Sequence, residues 1–370
     1  MARLAAGVRR RKDGTLEKRF TIKGKRYSVY GKTNKELNEK EQVIREKIKQ
    51  GIDYNNQNIT LNQYFNEWIK RKKKTVKPGS IYNYQRYYNK IISPVLGNKK
   101  IQNIEKRQIY SLQGKLAEKY HPTNVNYILK ILKMILNDAV NDDIILKNPA
   151  RGVKALKNDK TPATDSIHRA LTEKEQYEFM IAAKGNFYYE FFAFLLLTGM
   201  RYGEAAALTW GEIDYNNNII HVVKNRTRNE QGSVMIGTPK TKTSTRHIPM
   251  NNKIREILKQ QRNKKSLLNG VLFLPCNDLI FTSQNGKIIS SNVINRNIDS
   301  IIKKMNNKID RFSSHAFRAT FATRFIEQGG NPQTLKTILG HSSISITMDL
   351  YSQVLPNTKQ REMDMLQIIL

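Results

Sequence analysis

The 370-residue sequence has one cysteine, Cys276. A lone thiol closes no internal disulfide and supplies no cysteine-rich zinc site. No stretch approaches 18 consecutive apolar residues, so no bilayer span is expected. Met1 to Lys12 carries arginines without a following apolar stretch, so no secretory leader is expected. Acidic residues are scarce, 31 against 64 Lys and Arg. They form no cluster of the kind that holds Mg²⁺. A His-Glu-x-x-His zinc pattern and a Gly-x-x-x-x-Gly-Lys-Ser/Thr phosphate loop are both missing, so neither a zinc hydrolase nor an ATP-driven machine is indicated. There is no internal repeat and no low-complexity tract.

What remains is a chain of net charge +33 with 39% hydrophobic and 9% aromatic residues. That is enough apolar material for packed cores, and the length suggests two or three domains. A pI near 10.1 points to a polyanionic partner, with nucleic acid in the cytoplasm as the natural setting. The first 50 residues hold 16 basic and 6 acidic side chains. Asp13-Gly14 is a tight-turn signal between Gly7–Lys12 and Leu16–Ile22. Phe20 and Ile22, then Tyr27 and Val29 after the Lys23-Gly24 turn, alternate with polar neighbours. Each strand is therefore expected to have one apolar and one basic face. Thr33 and Glu36 have capping-box spacing and open a helix to about Gln50. Such a sheet suits a DNA groove, with Arg9, Arg10, Arg11, Lys23, Lys25 and Arg26 along it. A solvated charged sheet is the plainer alternative.

Gly51 to Asn58 reads as a linker, and a helical region follows to about Val153. Leu61, Phe65, Trp68 and Ile69 share a helix face, with Thr60 as its cap. The run Lys70, Arg71, Lys72, Lys73, Lys74 ends that helix. It is either a solvated charge run or a set of phosphate contacts. Ser80 is expected to cap the next helix, whose Tyr82, Tyr84, Tyr87 and Tyr88 sit among basic residues. Val125 to Val140 carries a clean apolar stripe. Together these predict a bundle of four or five helices. Residues 154–168 read as a second linker. Thr172 with Glu175 opens a domain in which helices alternate with short strands at Ile219–Val223, Arg246–Met250 and Leu279–Phe281.

Four islands in that last domain could carry chemistry. Thr198-Gly199-Met200-Arg201-Tyr202-Gly203-Glu204 puts a carboxylate three residues after an arginine, placed to pair with its guanidinium. Pro239-Lys240-Thr241-Lys242 lies between two strands, as a lysine-bearing hairpin loop would. His315-x-x-Arg318 sets an imidazole and a guanidinium on one helical face. Leu339-Gly340-His341 is followed ten residues later by Tyr351. Singly, each is an ordinary surface or core feature. Together they offer two arginines, a lysine, two histidines and a tyrosine to one anion. Phosphate chemistry without a metal uses such cations to stabilise transition-state charge, and tyrosine supplies an oxygen nucleophile.

These pieces, in this order, resemble the tyrosine recombinases, and among them the integrases of phages and integrative elements. The likeness is most specific over residues 170–356 and weaker toward the N-terminus. It implies a multidomain, mainly α fold with small β elements. An N-terminal three-stranded sheet plus helix (1–55) would bind arm sites. A helical, SAM-like core-binding bundle (58–155) and an α+β catalytic domain with a C-terminal tail (168–370) would follow. It implies that Tyr351 attacks the scissile phosphodiester to form a 3′-phosphotyrosyl link. Arg201 and Arg318 would hold the non-bridging oxygens. His315 would assist the nucleophile's proton or the phosphate, and His341 would hydrogen-bond a phosphate oxygen. Lys240 or Lys242 would act as general acid, with Lys240 preferred from the Lys-Thr-x-x-Ser-x-Arg frame. Glu204 would orient Arg201. Phe317 departs from the leucine usual in the family at that place.

The resemblance further implies double-stranded DNA with core and arm sites as partner, and self-assembly into a tetramer on that DNA. An excisionase and a host DNA-bending protein are possible helpers. No cofactor, metal or membrane is implied, and the location is the cytoplasm of a bacterial host. The expected function is integration and excision of a phage or conjugative element. A type IB topoisomerase-like enzyme and a non-catalytic DNA-binding regulator are the alternatives. The apolar end, Met365 to Leu370, is expected to pack on its own domain or to dock on a neighbouring protomer.

Overall fold

A computed structural model describes residues 7–11, 14–22, 24–49, 59–157, 169–239, 244–269, 278–341, 343–345 and 347–348. The chain divides into two compact units at residue 159.

In the first unit, β1 (Val8–Arg10), β2 (Leu16–Ile22) and β3 (Lys25–Gly31) form an antiparallel sheet in that order. Its register pairs Phe20 with Tyr27 and Glu17 with Tyr30. The alternation works as expected on one face. Leu16, Tyr27 and Val29 are buried, and with Phe20 and Ile22 they pack on Leu37 and Ile44 of α1 (Asn34–Lys49). The cap differs in one half. The Thr33 hydroxyl accepts from the Glu36 amide at 3.2 Å, but the Glu36 carboxylate takes the amide of Lys32.

A second core in this unit belongs to the helices α2 (Leu61–Lys72), α3 (Pro78–Tyr87), a π-helical turn (Tyr88–Gly97), α4 (Lys106–Ala117) and α5 (Pro122–Asn141). Thr60 and Gln63 form the reciprocal capping box of α2. Ser80 is no cap. Lys77 takes that position and Pro78 opens α3, where its fixed φ suits the first helical turn and no amide is lost. Tyr84, Tyr87 and Tyr88 serve packing. Tyr88 stacks on Phe65 with ring centroids 3.5 Å apart, and Tyr84 tilts against Trp68. Residues 154–157, expected as linker, are partly tied down. Gln113 donates to the Lys154 carbonyl, and Asn126 exchanges two bonds with Leu156.

The second unit contains α6 (Glu173–Ala182), α7 (Tyr189–Thr198), the short α8 (Tyr202–Ala205), α9 (Asn252–Asn269), α10 (Ser291–Lys304), α11 (Ser314–Glu327) and α12 (Pro332–Leu339). One small sheet orders β4 (Ile213–Asp214), β5 (Ile219–Val222) and β8 (Arg246–Pro249). Another pairs β6 (Asn225–Arg228) with β7 (Val234–Gly237). Phe179, Phe192, Phe312 and Phe317 centre the core, with Phe179 and Phe312 rings 5.0 Å apart. Phe317 is fully buried there, so an aromatic suits its place.

Two expectations fail in this unit. The loop after Pro239 is not a hairpin, because β7 pairs with β6 while β8 pairs with β5. Leu279 makes a single bridge to Thr209 rather than a strand. Among the described residues, no helix is long and apolar enough to cross a membrane.

Candidate active site and basic faces

The chemistry-bearing residues of the second unit sit at helix ends, where backbone geometry fixes them. Helix α7 ends at Gly199, which takes the left-handed conformation (φ 62°). A Cβ there would run into Phe321 and Leu339, so glycine is required on both counts. The next turn makes Arg201 the N-cap of α8. Its amide donates to Glu204 Oε2 at 2.9 Å, and its Nη1 donates to Oε1 at 3.0 Å. The expected pair therefore forms, with one carboxylate holding both the backbone and the guanidinium of Arg201.

Glu204 does more than expected. Its Oε2 also accepts from Arg246 Nη2 at 2.8 Å, and both side chains are buried. Burial alone pushes the Glu204 carboxyl up. The hydrogen bond and charge of Arg246, together with Arg201, outweigh it and hold the group below its usual range. Arg246 is also bonded by the carbonyls of Ile338 and Ser244. This arginine was missed as a site residue. A signal existed: in the alternation Arg246, His247, Ile248, Pro249 the inward positions are Arg246 and Ile248. An inward charge on a strand needs a buried counter-charge.

Arg318, on the first turns of α11, is buried and donates to the Gly199 carbonyl at 2.9 Å and the Leu339 carbonyl at 2.6 Å. These close the C-terminal ends of α7 and α12, where a cation is favoured. Burial, then the positive charge of Arg201, pushes the Arg318 pKa down to about 9, so it remains cationic at neutral pH. His315 lies one turn earlier and is exposed. The pair shares a helix face, but its two members lie at different depths.

Helix α12 ends on a second left-handed glycine, Gly340 (φ 66°), which delivers His341. The ring is half-buried, and its Nδ1 is 3.0 Å from the Thr347 hydroxyl. Burial, then Arg318, Arg201 and Arg246, push its pKa down to about 4. The tautomer of a neutral ring decides the direction of that bond, and the form accepting at Nδ1 is the one that carries its proton at Nε2. The structure thus brings Arg201, Glu204, Arg318 and His341 together, with Arg246 added. Lys240, Lys242 and Tyr351 lie outside the described residues, as does the tail. No group of three or more His, Cys, Asp or Glu suited to a metal occurs among the described residues.

The basic candidates of the first unit divide. Arg9 registers with Glu17 and Arg26 with Thr21, on the face away from the core. Arg11 reaches that face as well. Arg10 pairs with Leu16 on the other parity, and Lys25 takes the register of Ile22, so neither strand position belongs to that face. Lys23 lies outside the described residues. Arg19 was missed, although strand alternation places it on this face. In the run 70–74, Arg71 is ion-paired to Asp142 and Lys72 to Asp138, and Lys72 also stands over Trp68. Those two help hold α2 against the end of α5. Lys70, Lys73 and Lys74 are exposed.

Known proteins give this architecture a context. Residues 169–358 match the phage integrase family, and residues 60–117 match the phage integrase N-terminal SAM-like domain. A tyrosine recombinase XerC-like protein of Caldanaerobacter subterraneus subsp. tengcongensis is 28% identical over 360 residues, covering 92% of this chain and 91% of that protein. The ICEBs1 integrase of Bacillus subtilis is 30% identical, covering 78% of this chain and 77% of that one. A solved Tn1549 transposon integrase, in complex with transposon right end DNA, superposes with a TM-score of 0.68. It is 25% identical and covers 83% of this chain and 99% of that one. The chain belongs to the phage integrase family: it is a tyrosine recombinase, an enzyme of site-specific DNA cleavage and rejoining.

Proposed function

We propose that the Arg201, Arg318 and His341 cluster grips one scissile phosphate while Tyr351 attacks it. The phenolic oxygen forms a bond to phosphorus, and the bond from phosphorus to the 5′-oxygen breaks. This leaves a 3′-phosphotyrosyl ester and a free 5′-hydroxyl. Lys240, or alternatively Lys242, gives its proton to the departing 5′-oxygen. His315, exposed beside the buried Arg318, assists the tyrosine's proton or the phosphate. Attack by the 5′-hydroxyl of a partner strand reverses these steps and completes exchange, so no ATP is consumed. Two guanidinium groups meet the two non-bridging oxygens, and neutral His341 donates a hydrogen bond. The observation that carries this reading is the immobilisation of the cations: Glu204 clamps Arg201, and two helix-end carbonyls clamp Arg318. Pre-aimed charge of this kind stabilises a transition state without reorganising.

In this proposal residues 1–55 read arm sites through the Arg9, Arg11 and Arg26 face, and Arg10, Lys23 and Lys25 add positive charge to the domain. Residues 58–155 bind the core site, where Lys70, Lys73 and Lys74 meet phosphates. Residues 168–370 do the chemistry. Two duplexes carry four strands to be cut, so four protomers assemble on DNA, and the apolar end near Leu370 docks on a neighbour. The relatives are named recombinase and integrase, which supports integration and excision of a mobile element over topoisomerase-like relaxation. An excisionase and a host DNA-bending protein would assist, in the cytoplasm of a bacterial host. Trapping the enzyme on a nicked suicide duplex tests the core of this reading. Wild-type chain becomes covalently attached, and Tyr351→Phe binds without attachment. An adduct formed by that variant would reject Tyr351.

A further inference from the structure

The outer face of the N-terminal sheet holds an acid that a DNA-binding surface should not want. Glu17 is the second residue of β2, and its side chain is only 1% exposed. Three arginines cover it. Arg9 Nε donates to Oε2 at 2.7 Å, Arg11 Nε to Oε2 at 3.2 Å, and Arg19 Nε to Oε1 at 2.7 Å. Those arginine side chains are themselves 57%, 46% and 58% exposed. The Arg11 guanidinium also lies over the Tyr30 ring, 4.6 Å from its centre. The hydrogen bonds of Arg19 and Arg9 hold the Glu17 carboxyl down at about 2, so it is ionised at any working pH.

A carboxylate on this face lowers its attraction for phosphate, so bulk affinity does not explain it. Its geometry does offer an explanation. Arg9 and Arg19 meet the carboxylate through Nε, the inner edge of the guanidinium, which leaves their terminal nitrogens out of the clamp, whereas Arg11 also donates from Nη2 to the Tyr30 hydroxyl at 3.5 Å. The end-on pair of N–H groups is the edge that can take guanine O6 and N7 together. We propose that Glu17 is a positioning residue that converts the flexible Arg9 and Arg19 into a fixed reading pair for guanine-containing sequence in the major groove. This rests on the sheet being the reader of arm DNA, proposed above.

The test is selection from a randomised duplex pool with the full chain, followed by competition between the enriched duplex and a scrambled one. Glu17→Gln should keep or raise affinity for scrambled DNA while the ratio of specific to scrambled binding falls about tenfold or more. Arg19→Lys, which keeps the charge but loses the fork, should lower the ratio in the same way and serves if Glu17→Gln unfolds the sheet. A ratio unchanged within about twofold in a folded Glu17→Gln chain, or in Arg19→Lys where the first does not fold, overturns the inference. A merely structural Glu17 would weaken both duplexes alike. Replacing Arg9, Arg11, Arg19 and Arg26 together by alanine separates the two failures. If that chain still enriches the wild-type sequence, the arm-reading itself is wrong. If it does not, and the single variants keep the wild-type ratio, only the role of Glu17 fails.

Discussion

The same device appears in both units: one buried glutamate with arginines converging on it. In the sheet, Glu17 holds Arg9, Arg11 and Arg19 at about half exposure or more. In the second unit, Glu204 holds Arg246, which is 5% exposed, and Arg201, which is 38% exposed. The contrast shows what burial is for. In the proposed mechanism Arg318, which meets one phosphate geometry, is walled in and bonded to helix-end carbonyls, and Arg201 beside it is held by the buried Glu204. The arginines proposed to meet a sequence stay at the surface, and Arg9 and Arg19 are steadied only along one edge.

That contrast can be broken, beginning with the largest effect. Arg318→Lys keeps a cation but cannot span the Gly199 and Leu339 carbonyls. Cleavage on a suicide substrate should slow by about 10²–10³, with core-site affinity nearly unchanged. A rate within a few-fold of wild type would show that the fork is dispensable. Next, Glu204→Gln strips the counter-charge from buried Arg246 and should destabilise the second unit by about 3 kcal/mol, read by denaturant unfolding. Glu17→Gln leaves exposed arginines in water and should shift sheet stability far less. Equal losses at the two glutamates would erase the distinction.

The local parts of this arrangement were legible in the sequence because they depend on near neighbours. The Thr172 and Glu175 box, the stripe of α5 and the Arg201 and Glu204 pair are all spacings of three or four. Their partners across the fold were not legible. Arg246 reaches Glu204 from 42 residues away, and Arg318 reaches Gly199 from 119 away. No periodicity encodes such distances. The supposed hairpin at Pro239 failed for a related reason: adjacency of two strands in sequence does not say which of two sheets each joins. Glu17 was legible only as an acid in a basic strand. That it lies beneath three arginines required the register of β1 on β2.

A smaller effect should come from acid. The folded pKa of His341 is depressed to about 4 from the ordinary 6.5. The unfolded chain therefore binds more protons between those values. Stability of the second unit should fall as pH drops from about 6.5 to 4. His341→Gln should flatten that part of the profile, measured by urea midpoints across pH. An identical slope in the variant would assign the acid sensitivity elsewhere. The smallest effect concerns the sheet. Arg26→Ala removes one phosphate or base contact, so the log–log salt slope of arm-DNA binding should fall by about 0.9 at most. A loss of several units would mean that this face does not act as separate contacts.

The account turns on where the protein becomes bonded to DNA and what neutralises the phosphate there. Incubating the full chain with a nicked suicide duplex in the presence of a chelator, then mapping the modified peptide, addresses both points at once. The account predicts a covalent complex without divalent metal, with the 3′-phosphate carried on the peptide containing Tyr351. Dependence on Mg²⁺, or attachment at any other residue, would contradict it.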